Sequence, residues 1–255
     1  MAARTKPTLV IVSGGWHVPE SYEKLTAALQ SDGYEVLVPR LPSTAPVRPP
    51  NADLSTDTEF IRSFVENLVE NGQVVMAIMH SYGGQVGTNA LYGLGVKARS
   101  ALGIEGGISH LVYVTASAGL EGSSLETIGV AEDDQDVVPL VFDIAEDGSC
   151  LSRDFRALVG PGCSDAETDA YISTLVRWNS RGLWQPLQHC AWRDIPVVYI
   201  YTAADMMLPL EHQKTFVENM EKTGVKVQTF ELATGHCPNF TATEEVVRVI
   251  NAVTP

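Results

Sequence analysis

The sequence predicts a doubly wound α/β domain: a mostly parallel sheet of about six strands with helices on both faces, capped at one edge by a helical insertion. Three observations predict it. Short β-branched runs alternate along the chain with amphipathic helical patterns, which implies parallel strands joined by helical crossovers. Thr8-Leu9-Val10-Ile11-Val12 is a continuous run of the kind a strand buried on both faces requires. One stretch, residues 117–192, breaks the alternation.

The elements follow in order. Thr8-Leu9-Val10-Ile11-Val12 is a buried-strand run that ends at Gly14-Gly15. Residues 20–30 carry a helical pattern, and residues 34–38 read as the second strand. The Pro-rich residues 39–50 form a loop, too short and too well bracketed to be a domain linker. Residues 57–70 read as a helix with Phe60, Phe64 and Leu68 on one face. Residues 74–78 are a third strand. His80-Ser81-Tyr82-Gly83-Gly84 follows, and a helix runs from about Tyr82 to about Tyr92. Residues 111–114, 196–201 and 225–230 are the remaining strands, with helices over 211–221 and 243–252. Residues 117–192 contain no clear strand, but hold helical patterns, acidic loops and three of the four cysteines. This assigns 1–116 and 193–255 to the core. Residues 117–192 then cap the C-terminal edge of the sheet, where open parallel sheets bind ligands.

Composition narrows the class. A chain of 255 residues fits one such domain, and 45% hydrophobic with 19% charged residues is ordinary for a soluble globular protein. No run reaches the ~18 apolar residues of a membrane helix. Residues Met1–Pro7 lack the apolar core of a secretion signal. A cytoplasmic protein with no membrane partner is therefore expected. A formal net charge of -14 repels phosphate backbones and anionic lipids, so no nucleic-acid partner is expected either. Cys150, Cys163, Cys190 and Cys237 form no CxxC motif and read as free thiols in a reducing compartment. Asn239-Phe240-Thr241 is a glycosylation sequon. A glycan there, three residues past His236, would obstruct the site proposed below. No His/Asp/Glu cluster has metal-ligand spacing, so no metal is expected.

The chemistry rests on three places. Ile78-Met79-His80-Ser81-Tyr82-Gly83-Gly84 lies directly between a strand and a helix. A sharp turn there lifts the serine hydroxyl out of the sheet, and crowding demands the small residues that Gly83 and Gly84 supply. The helix behind Ser81 aims its free N–H groups at the site. Met79 replaces the first glycine of the G-x-S-x-G pattern, so its side chain must point away from the turn. A serine in an ordinary βα turn would share part of this pattern. The second place is Ser13-Gly14-Gly15-Trp16 after the first strand. An oxyanion hole needs one N–H from that loop and one from the residue after the nucleophile, which selects Gly15 and Tyr82. The third is the order Ser81, Asp205, His236, with Asp205 ending the fifth strand and His236 following the sixth. A histidine can take the serine proton and return it to the leaving group, and a carboxylate behind it fixes the tautomer. His17 reads as a local hydrogen-bonding residue and His80 as packing. His110, His189 and His212 read as structural or surface residues.

These residues resemble the α/β-hydrolase superfamily, and within it the plant methylesterase and hydroxynitrile-lyase group with its fungal and bacterial esterase relatives. The resemblance is most specific at Val12–His17, at Met79–Gly84, and from Ile200 to Phe216 with Asp205, Pro209 and Gln213. It implies an α/β-hydrolase core, catalytic roles for Ser81, Asp205 and His236, and no cofactor. Ser13 stands where many relatives have a histidine. Lyases of this group need a threonine in the oxyanion loop and a lysine after the catalytic histidine. Gly14 and Cys237 stand at those positions, which argues for hydrolysis.

The expected activity is hydrolysis of a small, largely apolar carboxylic ester or lactone through an acyl-enzyme, by a monomer or homodimer. Trp16, Trp178, Trp184, Met206 and Leu208 are the candidate pocket lining, with Met207 beside them. A lyase, cyclase or C–C-bond hydrolase of secondary metabolism could use the same triad, and so could a non-catalytic ligand-binding protein keep this fold. Ser81 at the elbow argues against an epoxide hydrolase or dehalogenase, whose chemistry uses an aspartate nucleophile there.

Overall fold

The computed structural model of the protein describes residues 6–125 and 138–254. Residues 126–137 of the stretch that breaks the alternation lie outside it. Nine strands are found among the described residues: β1 (Thr8–Val12), β2 (Val36–Leu37), β3 (Val74–His80), β4 (Gly107–Val114), β5 (Phe142–Ile144), β6 (Ser149–Ser152), β7 (Trp178–Asn179), β8 (Val197–Thr202) and β9 (Val227–Leu232). Six of them form one sheet in the order β2-β1-β3-β4-β8-β9, and every pairing in it is parallel. The crossover helices are α1 (Glu23–Ser31), α2 (Leu54–Glu70) and α3 (Tyr82–Ala90).

Alternate residues of each strand point to opposite faces, and both faces are covered. Leu9, Ile11, Met76, Ile78, Val112 and Ile200 pack with Leu25 and Leu29 of α1 and with Val246 and Ile250 of the helix Thr243–Val253. Val10, Val12, Val75, Ala77, Leu111 and Tyr199 face the other way, toward α2, α3 and the helix Leu210–Lys222. Burying each such Val, Leu or Ile contributes about 1.5–3 kcal/mol. This two-sided burial explains why β1, β3 and β8 read as apolar runs, whereas β9, at the sheet's edge, is mixed and partly exposed.

Differences from the sequence reading are local. β2 is only two residues long, pairing with β1 at Val36 and Leu37. β3 runs two residues further than expected, to His80, which carries Ser81 to the sheet edge. α2 begins at Leu54 because the Asp53 carboxylate accepts from the Ser55 and Thr56 N–H groups as an N-cap. Within residues 117–192 the expectation of no strand is overturned: β5, β6 and β7 form an antiparallel sheet. They are two to four residues long, too short to show a period. Asp147-Gly148 is the turn signal that marks the β5–β6 hairpin.

Asn239 of the sequon is buried, and its amide donates to the Ser21 carbonyl at 3.0 Å and the Tyr171 hydroxyl at 2.9 Å. The folded chain offers no room for a glycan there. All four cysteines are free. No helix among the described residues is long and apolar enough to cross a membrane.

Met79 turns away from the serine turn, onto the face covered by α3. A Cβ added at Gly87 would overlap the Met79 sulfur. Gly87 thus accommodates the larger residue at position 79. Gly87→Ala should gain ~1 kcal/mol of helix propensity but lose about 1–3 kcal/mol to overpacking. In a Met79→Ala background the same change should be neutral or stabilising. Denaturant unfolding of the four proteins measures the coupling, and additive effects would contradict the contact.

Candidate active site

Ser81 sits between β3 and α3 with φ 54° and ψ -123°, a left-handed conformation rare for a residue with a side chain. The turn is tight because other backbone passes behind it. A Cβ at Gly83 would collide with the Val12 carbonyl oxygen, and one at Gly84 with the Ser117 carbonyl oxygen. Only glycine fits either position. Ser81 remains partly exposed while the groups behind it are buried.

His236 follows β9. Its Nε2 lies 2.8 Å from Ser81 Oγ, and its Nδ1 lies 2.7 Å from Asp205 Oδ2. Asp205 follows β8 and is surrounded by donors. Thr115 and Thr202 hydroxyls donate to Oδ2 at 2.5 and 2.9 Å. The Met207 and Leu208 N–H groups each donate to Oδ1 at 2.8 Å. Burial works to raise the Asp205 pKa. The His236 imidazole and the donated hydrogen bonds outweigh it, so the carboxyl stays below its ordinary value. An ionised Asp205 only accepts, so His236 Nδ1 carries the proton and Nε2 is left free to accept from Ser81.

The backbone around this pair is under constraint. Thr115 has φ 39°, an outlier for a β-branched residue. The conformation sets its hydroxyl against Asp205. Gly235, just before His236, packs on Gly160 backbone to backbone: a Cβ at Gly235 would lie 2.7 Å from Gly160 Cα. The segment between β4 and β8 therefore touches the histidine loop with no side chain between them.

The loop after β1 is held peptide by peptide. The Gly14 N–H donates to the Tyr22 hydroxyl oxygen at 2.9 Å. The Gly14 carbonyl accepts from the His17 N–H at 3.3 Å, and the Gly15 carbonyl accepts from His17 Nδ1 at 2.7 Å. Burial, with a smaller push from His236, lowers the His17 pKa to about 4 against the opposing Gly15 hydrogen bond. The Gly15 and Tyr82 N–H groups donate to no acceptor among the described residues.

Of the expected pocket residues, Trp16 and Trp178 come together at this loop. Both are buried, with ring centroids 5.9 Å apart. Trp178 covers the Gly15 Cα and lies 4.7 Å from the Tyr82 ring. Leu208 is partly buried and contributes its N–H to Asp205. Trp184 is 44% exposed and Met206 75% exposed, so neither joins this buried aromatic group. His80, read as packing, is buried and bonded to both Tyr22 and His236. Among the described residues no group of three His, Cys, Asp or Glu could hold a metal.

Sequence reasoning missed Thr115, Thr202, Tyr22 and Asp57. A lone threonine or tyrosine at a strand or helix end carries no signature. Asp57 is a second buried carboxylate, accepting from the Ser43 N–H at 2.9 Å, the Ser43 hydroxyl at 2.5 Å and the Tyr82 hydroxyl at 2.9 Å. Burial raises its pKa from 3.8 to about 6 despite those bonds. The folded chain therefore holds a proton there that the unfolded chain releases between about pH 4 and 6. This group's contribution to stability is complete below that window and is lost as pH rises through it. Asp57→Asn cannot titrate, so its stability relative to wild type should rise with pH across the window and level off above it. Denaturant unfolding at several pH values tests this, and a flat difference would contradict the assignment.

Comparison with known proteins bears on the family and the fold. The family described as "Alpha/beta hydrolase family" matches residues 9–249. "Probable hydrolase R7" of Phoma sp. is 31% identical over 252 residues, covering 96% of this chain and 97% of that protein. An extracellular alpha/beta-hydrolase from a Paenibacillus species, described as sharing homology with tobacco salicylic acid binding protein 2, superposes with a TM-score of 0.74. It is 15% identical, over 97% of this chain and 99% of that one. The Arabidopsis methylesterase protein MES16 superposes with a TM-score of 0.70 at 21% identity, over 97% and 98% of the two chains. With a match that spans both flanks of the interrupted sheet, the chain belongs to the alpha/beta hydrolase family.

Proposed function

We propose that this hydrolase is a serine esterase or lactonase that cleaves a small, largely apolar substrate through an acyl-enzyme. The observation that carries the proposal is the chain Ser81 Oγ, His236 Nε2, His236 Nδ1, Asp205 Oδ2, linked at 2.8 and 2.7 Å. Ser81 attacks the carbonyl carbon while His236 Nε2 takes its proton. The developing oxyanion is held by the Gly15 and Tyr82 N–H groups, neither of which donates to an acceptor among the described residues. The tetrahedral adduct collapses as imidazolium protonates the departing alkoxide. Water, deprotonated by the same nitrogen, then releases the acid and restores Ser81. Asp205 stays ionised throughout and stabilises the imidazolium. An apolar substrate is favoured by the aromatic group of Trp16, Trp178, Phe142 and Phe155 beside the oxyanion loop.

A panel of p-nitrophenyl acyl esters should be turned over with a burst of p-nitrophenol, and a fluorophosphonate should label Ser81, located by mass spectrometry. Ser81→Ala should abolish both. A folded wild-type sample with neither turnover nor labelling would reject the esterase reading. Asp205→Asn should keep the fold but lower kcat by about 10⁴, because the amide favours the wrong histidine tautomer. A loss of less than tenfold would show that another group orients His236.

A further inference from the structure

His80 and Tyr22 take no part in the steps above, yet both are buried within the site's floor. Tyr22 Oη lies 2.8 Å from His80 Nδ1, and His80 Nε2 lies 2.7 Å from the His236 carbonyl oxygen. Tyr22 Oη also receives the Gly14 N–H. The direction of every bond follows from the partners. A carbonyl oxygen only accepts, so His80 Nε2 carries the proton. Burial, with His17 and His236 as like-signed neighbours, holds His80 well below its ordinary pKa, so the ring is neutral and Nδ1 has a lone pair. Nδ1 accepts from the Tyr22 O–H, which frees the Tyr22 oxygen to accept from Gly14. The chain thus runs one way: Gly14 N–H to Tyr22, Tyr22 O–H to His80, His80 N–H to His236 carbonyl.

The topology gives this chain its purpose. The glycine loop leaves β1 and the histidine loop leaves β9, and β3, β4 and β8 stand between them in the sheet. Among the described residues the two loops share no backbone pairing with each other, so contacts between them run through side chains, as where His17 Nε2 lies 3.6 Å from Cys237 Sγ. His80 ends β3 and reaches the Tyr22 hydroxyl at one ring nitrogen and the His236 carbonyl at the other.

We infer that His80, with Tyr22, is a positioning residue that locks the oxyanion loop and the catalytic histidine loop into one rigid arrangement. The inference rests on the roles given above to Gly15 and His236. Substitution at His80 separates the two ends. His80→Gln keeps a donor near the ε position for the His236 carbonyl, and His80→Asn keeps an acceptor near the δ position for Tyr22.

The test compares ester kinetics, melting temperature and the deshielded proton NMR signal of His236 Nδ1–H in the full chain. His80→Asn should lower kcat by about 10²-fold, the scale of a 1 Å misplacement. Its KM should stay within about threefold, and the His236 signal should shift or broaden. His80→Gln should keep that signal and recover at least about tenfold of the lost kcat. Folded variants that both retain wild-type kcat, or that lose it equally with the signal unmoved, would overturn the inference. If His80 variants unfold, Tyr22→Phe decides it: kcat should fall about tenfold at unchanged KM, and wild-type kcat would overturn it. A wild type that cleaves no ester would reject the esterase reading alone. The His236 signal in the His80 variants, or in Tyr22→Phe relative to wild type, would then judge the relay, and a signal unmoved in all of them would overturn it.

Discussion

The site depends on keeping a negative charge where water does not reach. Moving a carboxylate out of water costs several kcal/mol even after relaxation, and Asp205 is buried at the edge of the sheet. Five donors offset that cost: two hydroxyls, two backbone N–H groups and the His236 ring. They come from separate parts of the chain, the two N–H groups from one turn. The turn at Asp205-Met206-Met207-Leu208 must fold back on its own carboxylate. The end of β4 must enter a left-handed conformation at Thr115, a strain on the order of 1–3 kcal/mol. With those demands met, the histidine tautomer and the acceptor facing Ser81 follow without further choice.

Asp57 shows what happens with a thinner shell. It is as buried as Asp205 but has three donors, all neutral, and no imidazole beside it. Its pKa moves up, while that of Asp205 moves down. Two carboxylates in one domain thus take opposite protonation behaviour from their surroundings. Asp57 ties the loop at Ser43 to the Tyr82 hydroxyl, on the residue that opens α3 just after Ser81.

Much of this was legible in the sequence because the central strands are buried on both faces. Unbroken runs such as Thr8–Val12 and Val197–Thr202 mark where each strand stops, and the residues just past those stops are Gly14, Gly15, Ser81, Asp205 and His236. What escaped has no local pattern. β5 to β7 are shorter than any period. Thr115 and Tyr22 matter through partners 90 and 58 residues away, respectively. Side-chain direction was equally silent: Trp178 turns in over Gly15 while Trp184 and Met206 turn out. The Met79 substitution was readable as a departure, but its accommodation eight positions later at Gly87 required the packing of α3 on β3.

The contact between Gly160 and Gly235 bears on how such a protein can diversify. The segment between β4 and β8 is the natural place to remodel a binding site, since the sheet does not need it for pairing. Yet one turn of that segment rests directly on the residue before His236. Exchanging the segment wholesale for that of a relative would carry in whatever residue stands at position 160, and any side chain there would push on the histidine loop. Gly160 is thus a joint between the segment inserted into the sheet order and the loop that carries His236, alongside the side-chain contacts of Trp178 with Gly15 and of Tyr171 with Asn239.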